Sequence, residues 1–172
     1  MSTVAGSLLQ VHAKPRSAGR PGLPKLSRPS LQITVAGVEG DHNYYRARKL
    51  NHTPDQAVLI VTEAVLLDLN AEGWPVSPGD LGENLTLRVT ESSLVPGSRV
   101  EVGQVVMEIS LACDPCRELY TLPFVGPEKG PAFLKTMVGR RGWYARVLTE
   151  GGVVSGMPVR VSTPVSTAAS GT

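Results

Sequence analysis

Apolar residues along this chain recur mainly with the two-residue period of a strand, and only briefly with that of a helix. GSLLQVH (6–12) is a short apolar run that predicts a first strand. KPRSAGRPGLPKLSRPS (14–30) carries four prolines and reads as a loop or extended edge, because proline cannot donate to a ladder. LQITVAG (31–37) alternates and is rich in β-branched residues, hence a strand. It runs into a polar turn, VEGDHNYYRARK (38–49). QAVLIV (56–61) is continuously apolar and predicts a strand buried on both faces. In TEAVLLDLNAEGW (62–74) the period changes: Val65, Leu66 and Leu69 share one helical face, Thr62 can cap its start, and Pro75 and Pro78 end it. ENLTLRV (83–89), SRVEVG (98–103) and VVMEISLAC (105–113) predict three closely spaced strands. PAFLKTMVG (131–139) predicts a second helix opened by Pro131 and closed by Gly139. GWYARVLT (142–149) and MPVRVS (157–162) read as closing strands around an EGGVVSG turn.

About eight short strands, two modest helices and frequent Gly/Pro turns predict one mainly β domain over residues 1–163. Closure into a barrel would hide the strand edges. Residues 164–172 are small and polar and are expected to form a disordered tail. Aromatics make up only 5% of the 172 residues, so the core must be aliphatic. The formal charge of +2, spread along the chain, argues against a nucleic-acid partner, which needs a concentrated cationic face. No apolar run approaches the roughly 20 residues of a membrane span. The first residues lack the charged region of a signal peptide, so a cytoplasmic location is expected, where thiols stay reduced.

Both cysteines lie in CDPC (113–116). A zinc site needs four ligands, and here one Cys-x-x-Cys half meets only His12, His42 and His52, none spaced as a helical pair. A thioredoxin-like switch belongs near the start of an alternating βαβ chain, not after a series of β segments. The third reading is one working sulfur. Asp114 is a preferred N-cap and Pro115 a preferred first helical residue, so Cys116 would be the second residue of a short helix. Backbone N–H groups there favour a thiolate, helped by Arg117 and opposed by Asp114 and Glu118. Cys113, at the end of a strand, reads as a buried packing residue.

Three polar clusters are candidates for the surroundings of that sulfur. GVEGDHNYYRARK brings together Asp41, His42, Arg46, Arg48 and Lys49, although composition alone reads as a solvated turn. GDLGENLT (79–86) places Glu83 and Asn84 at a strand entrance; the Asn84 amide can serve a heteroaromatic ligand edge or satisfy backbone groups. GRRGWYARV (139–147) holds Arg140 and Arg141, whose guanidinium forks suit phosphate or simply face solvent.

The order of these pieces resembles the MOSC domain, named for the C-terminal domain of molybdenum-cofactor sulfurases. GVEGDH, PGDLGENLT, a strand leading to DPC, GWYARVL and a closing G-x-x-V-x-V carry the resemblance, over roughly residues 6–162. It implies a β-barrel that holds a molybdenum–molybdopterin cofactor, with Cys116 as metal ligand or sulfur carrier. It further implies Lys14 of VHAKP, Asp41, His42, Asn84 and Arg140 as cofactor contacts. The family often carries Arg where this chain has His42, and a neutral imidazole is the weaker phosphate clamp. Two functions follow from the resemblance. One is an oxidoreductase acting on N-hydroxylated small molecules, served by an electron-donor reductase. The other is a sulfur carrier that holds a persulfide on Cys116, loaded by a cysteine desulfurase. A binding module with an inert cysteine is the third reading. No pyridoxal-phosphate domain accompanies these motifs, so pyridoxal phosphate is not expected in this chain.

Overall fold

A computed structural model describes residues 1–15, 23–43, 46–47 and 50–165 of the chain. Among these residues seven strands hydrogen-bond in a ring. Their order is β1 (Ser2–Ala13), β11 (Pro158–Thr163), β7 (Arg99–Val102), β8 (Val105–Ala112), β9 (Trp143–Thr149), β5 (Val58–Thr62) and β6 (Leu85–Arg88), which returns to β1. The closing strand is β1, whose first half pairs with β11 and second half with β6. Neighbours are antiparallel except β5 and β6. A parallel pair needs a crossover, and helix α1 (Glu63–Ala71) supplies it. The predicted cap is present, with the Val65 N–H donating to Thr62 Oγ1 at 3.4 Å.

The run VLIVT of β5 is buried throughout because both of its faces are covered. Val58 and Ile60 join the barrel core with Leu8, Leu87, Met107 and Val161. Val61 instead packs under the helices with Leu66, Leu69, Phe133 and Met137. Trp74 closes this second core, its ring centroid 4.7 Å from that of Phe133.

Two predicted elements are corrected. The second helix, α2 (Gly126–Met137), begins five residues before Pro131. Pro127 takes the first-turn position where a missing N–H costs nothing, and Pro131 sits inside the helix, tolerated because Phe133 and Met137 are fully buried beyond it. The EGGVVSG segment is not only a turn. It contains β10 (Gly151–Val154), which pairs with β3 (Ser30–Thr34), itself paired with β4 (Gly37–Val38). Leu31, Ile33, Val38 and Val153 of this small sheet pack into the barrel core. The proline-rich segment also contributes a two-residue strand, β2 (Leu26–Ser27), against the end of β1.

The expected tail at 164–172 is described only through Val165. No helix among the described residues is long and apolar enough to cross a membrane.

Candidate functional site

The CDPC turn leaves β8 where β9 begins. The Cys113 N–H donates to the Gly142 carbonyl at 2.9 Å. Gly142 has φ 93°, and a Cβ there would stand 2.3 Å from the Ile60 carbonyl oxygen. Only glycine lets β9 start this close to β5, and that approach brings Arg141 beside the cysteines. Cys113 is buried and Cys116 exposed, and both thiols are free. Burial pushes the Cys113 thiol up, with the charge of Arg141 partly opposing it.

The expected helix start at Cys116 is corrected. The helix is a five-residue 3-10 turn, Arg117–Thr121, and Cys116 precedes it with extended backbone angles (φ −141°, ψ 169°). Asp114 therefore does not cap it, and Cys116 Sγ accepts no hydrogen bond from the N–H groups of the turn. A guanidinium takes their place. Arg141 Nη1 donates to Cys116 Sγ at 3.0 Å and to the Asp114 carbonyl at 3.1 Å. Nη2 reaches the Leu81 carbonyl at 3.4 Å, and Nε is buried without a partner. Arg141 is 6% exposed and forms no ion pair among the described residues.

The pairing of β8 with β9 shifts register between Ile109 and Leu111. Before the shift Met107 and Ile109 point into the barrel core; after it Leu111 pairs with Tyr144 and is 38% exposed. Ser110 stabilises the irregularity by donating to the Asp55 and Tyr144 carbonyls. A bulge of this kind re-aims side chains. Here it turns Leu111 and Ala112 to face a cavity of about 460 Å³. Cys116, Arg117, Arg141, Tyr144, Leu59 and His42 share its wall. Burial and the neighbouring Cys113 push the Tyr144 phenol well above its ordinary value, so it stays a proton donor.

A smaller cavity of about 120 Å³ adjoins this one, and Lys25, His42, Asn43, Gln56, Leu59 and Tyr144 line both. Its wall is a buried polar lattice. Asp41 accepts from the Lys14 N–H at 2.9 Å, the Lys25 ammonium at 2.6 Å and the Asn84 amide at 2.9 Å. The same Asn84 amide donates to the His12 carbonyl at 3.2 Å and accepts from the Leu59 N–H at 3.1 Å. Asp41 and Asn84 thus tie the GDH turn, β1 and β5 together, the backbone-satisfying role that the sequence left open for Asn84. Beside them lie two fully buried ionisable groups. Burial and then the Lys25 charge lower His12 to about 4, against a hydrogen bond with the Glu83 backbone. Burial also raises Glu83, which accepts from the Gly79 N–H and the Thr86 hydroxyl.

A family model described as the MOSC domain matches residues 47–160. The chain belongs to the MOSC domain family. No curated protein matches it significantly. Among solved structures, the YuaD protein of Bacillus subtilis is 18% identical with a TM-score of 0.78, covering 95% of this chain and 99% of that one. YiiM of Escherichia coli is 22% identical with a TM-score of 0.64, over 93% of this chain and 71% of its own. YiiM of Geobacillus stearothermophilus is 20% identical with a TM-score of 0.66, over 91% and 75%. These likenesses establish the fold.

Within this MOSC domain the predicted residues separate into three groups. Cys116, Arg141 and His42 line the larger cavity. Asp41, Asn84 and again His42 line the smaller one. Lys14 and Arg140 line neither. The backbone of Lys14 holds Asp41 and, through its carbonyl, the His42 N–H. Arg140 forks onto Glu72 after α1 at 2.6 and 2.8 Å. Arg48 and Lys49 lie outside the described residues. Tyr144, Lys25 and Gln56 were not singled out from sequence. For Tyr144 a signal existed: in β9, Ala145 and Val147 face the core, so strand parity puts Tyr144 on the opposite face with Arg146.

Proposed function

We propose that this MOSC domain holds a molybdenum–pterin cofactor with Cys116 as the metal ligand, and reduces N-hydroxylated small molecules. One observation carries the reading: an exposed cysteine sulfur at the wall of a 460 Å³ cavity, 3.0 Å from a buried arginine that has no ion-pair partner among the described residues. The residues fit such a group. A soft sulfur ligand is presented to a cleft. The guanidinium of Arg141 supplies positive charge where an anionic ligand or thiolate would sit. The bound metal would supply the two-electron chemistry at an N–O bond.

The chain's own groups have separable roles. Cys116 binds, and Arg141 fixes the position of its sulfur. Leu111 and Leu59 give the cavity an apolar side that limits water. Tyr144 offers a phenolic proton at the junction of the two cavities. Net reduction of an N–OH group consumes two electrons and two protons and releases water, so a separate electron-donor reductase is part of this reading. The test is reduction of an N-hydroxylated amidine by cofactor-loaded protein with a chemical reductant, wild type against Cys116→Ser. Turnover that survives the substitution would remove Cys116 from the reaction.

The exposure of Cys116 favours a second reading, sulfur carriage. A sulfur at the surface can meet a cysteine desulfurase and an acceptor, with Arg141 balancing the charge of a persulfide. Trapping with a persulfide-selective alkylating reagent after incubation with a desulfurase and cysteine distinguishes the two.

A further inference from the structure

We propose a further activity for the Cys116–Arg141 pair: sulfur transfer from thiosulfate-type donors, small anions whose sulfane sulfur is bonded to an oxidised sulfur carrying anionic oxygens. It rests on the second reading above, sulfur carriage, and names what loads the cysteine. Cys116 is exposed and its thiol is free, so a donor can reach the sulfur. The guanidinium bonded to that sulfur at 3.0 Å is 6% exposed and forms no ion pair among the described residues. Its other acceptors, the Asp114 and Leu81 carbonyls, are neutral, and its Nε is buried without a partner. A buried cation without a counter-ion is costly, and an anion bound beside it removes that cost.

A desulfurase that docks on an exposed cysteine needs no such cation. An anionic small-molecule donor does, because the attacking thiolate meets a like charge. A guanidinium at the sulfur offsets that repulsion and suits an oxyanion. The cavity beside it, about 460 Å³, is of small-molecule size. Asp114, Arg117 and Glu118 also line this cavity. Asp114 and Arg117 are exposed and opposite in sign, so solvent and each other reduce their effect. Glu118 opposes, but among the described residues the cation bonded to the sulfur is Arg141. The step balances. Cys116, its thiol proton released to buffer, attacks the sulfane sulfur of thiosulfate. A new S–S bond forms on Cys116, the S–S bond of thiosulfate breaks, and its electron pair leaves on sulfite. A thiol or cyanide then takes the sulfane sulfur from the persulfide and returns the Cys116 thiolate. Cys113 takes no part, being buried and absent from the cavity wall.

The test incubates the full chain, from a host unable to make pterin cofactor, with thiosulfate. Intact mass reads the loading, and thiocyanate formed on adding cyanide reads the turnover. The expected result is one sulfur atom added per chain, with a rate that saturates in thiosulfate, and repeated turnover with cyanide. Cys116→Ser should abolish both, and Cys113→Ser should stay within twofold of wild type. Arg141→Met should slow loading at least tenfold. Arg141 also braces the CDPC turn, so Leu111→Glu is the companion variant. It sets a carboxylate on the cavity wall, leaves the bonds of Arg141 intact, and should load at least threefold more slowly than Leu111→Gln. Loading by a cysteine desulfurase with cysteine, but not by thiosulfate, would overturn the proposal and leave sulfur carriage standing. Loading by neither would overturn both. Thiosulfate loading as fast in Arg141→Met as in wild type, and as fast in Leu111→Glu as in Leu111→Gln, would also overturn the proposal.

Discussion

Arg141 Nη1 stands 3.0 Å from Cys116 Sγ and is simultaneously bonded to the Asp114 carbonyl, so one buried guanidinium holds both ends of the turn that presents the sulfur. The two residues lie on different elements. They meet because Gly142 lets β9 start against β5. The contact makes Cys116 a positioned group on an otherwise short, exposed turn.

Cys113 and Cys116 should therefore respond differently to substitution. Cys116→Ser should abolish metal or sulfur loading with little change in stability, because its side chain is exposed. Cys113→Ser should keep most loading and cost roughly 1–3 kcal/mol in urea unfolding, the range for a polar group placed in a buried site. Equal loss of loading in two folded variants would point to a dithiol pair instead.

The adjacent arginines should be separable in the same way. Arg141→Met orphans the Leu81 and Asp114 carbonyls and should lower stability by roughly 1–3 kcal/mol. It should also lower loading, and Arg141→Lys should restore it only in part, because an ammonium lacks the planar fork. Arg140→Ala loses a solvent-exposed pair with Glu72 and should leave both quantities close to wild type. Loading lost in Arg140→Ala but not in Arg141→Met would reverse the assignment.

Asn84 should behave as scaffold. Asn84→Ala leaves the Leu59 N–H and the His12 carbonyl short of a partner, while Asp41 Oδ2 keeps the Lys25 ammonium. Each orphaned buried group costs roughly 1–3 kcal/mol. The loss should therefore be measurable by urea unfolding in cofactor-free protein. A stable Asn84→Ala apo-protein that fails only in loading would make Asn84 a ligand contact.

The buried His12 and Glu83 give stability opposing pH dependences. His12 moves from 6.5 when unfolded to about 4 when folded. The unfolded chain thus binds the extra proton, and this contribution is complete above 6.5 and lost as pH falls toward 4. It is on the order of 3 kcal/mol at 1.36 kcal/mol per unit. His12→Gln should flatten the acid side of the profile over that window. Glu83 is raised, so the folded chain holds its proton more tightly and stability falls as pH rises above the unfolded value of 4.5. Glu83→Gln should then stabilise more at pH 8 than at pH 4.5. Urea midpoints measured from pH 4 to 8 check both, and parallel profiles for wild type and variants would contradict them.

Legibility in the sequence followed the range of the forces involved. The Thr62 cap, the two-faced burial of β5 and the existence of strand β8 are local and could be read from a few residues. Strand β10 could not, because two glycines dominate its local chemistry and its partner β3 lies more than a hundred positions away. The family resemblance was legible from motif order alone. The backbone at Cys116 departs from the expected helix start for the same reason as β10. Capping preferences of Asp114 and Pro115 suggested a helix start, but a guanidinium from the far side of the fold determines the geometry. Nothing local in GRRG separates Arg141, whose partner is Cys116, from Arg140, whose partner is Glu72, because both partners come from distant parts of the chain.

The proposed role of Cys116, positioned by Arg141, is to hold a molybdenum–pterin group. The most direct measurement is the molybdenum and pterin content of wild-type, Cys116→Ser and Arg141→Met protein, each purified from hosts able and unable to make the cofactor. The expected result is metal and pterin together in wild type from the competent host, no metal in Cys116→Ser, reduced content in Arg141→Met, and none in any protein from the deficient host. Wild type that carries neither metal nor pterin from the competent host, or Cys116→Ser that carries as much molybdenum as wild type, would contradict it.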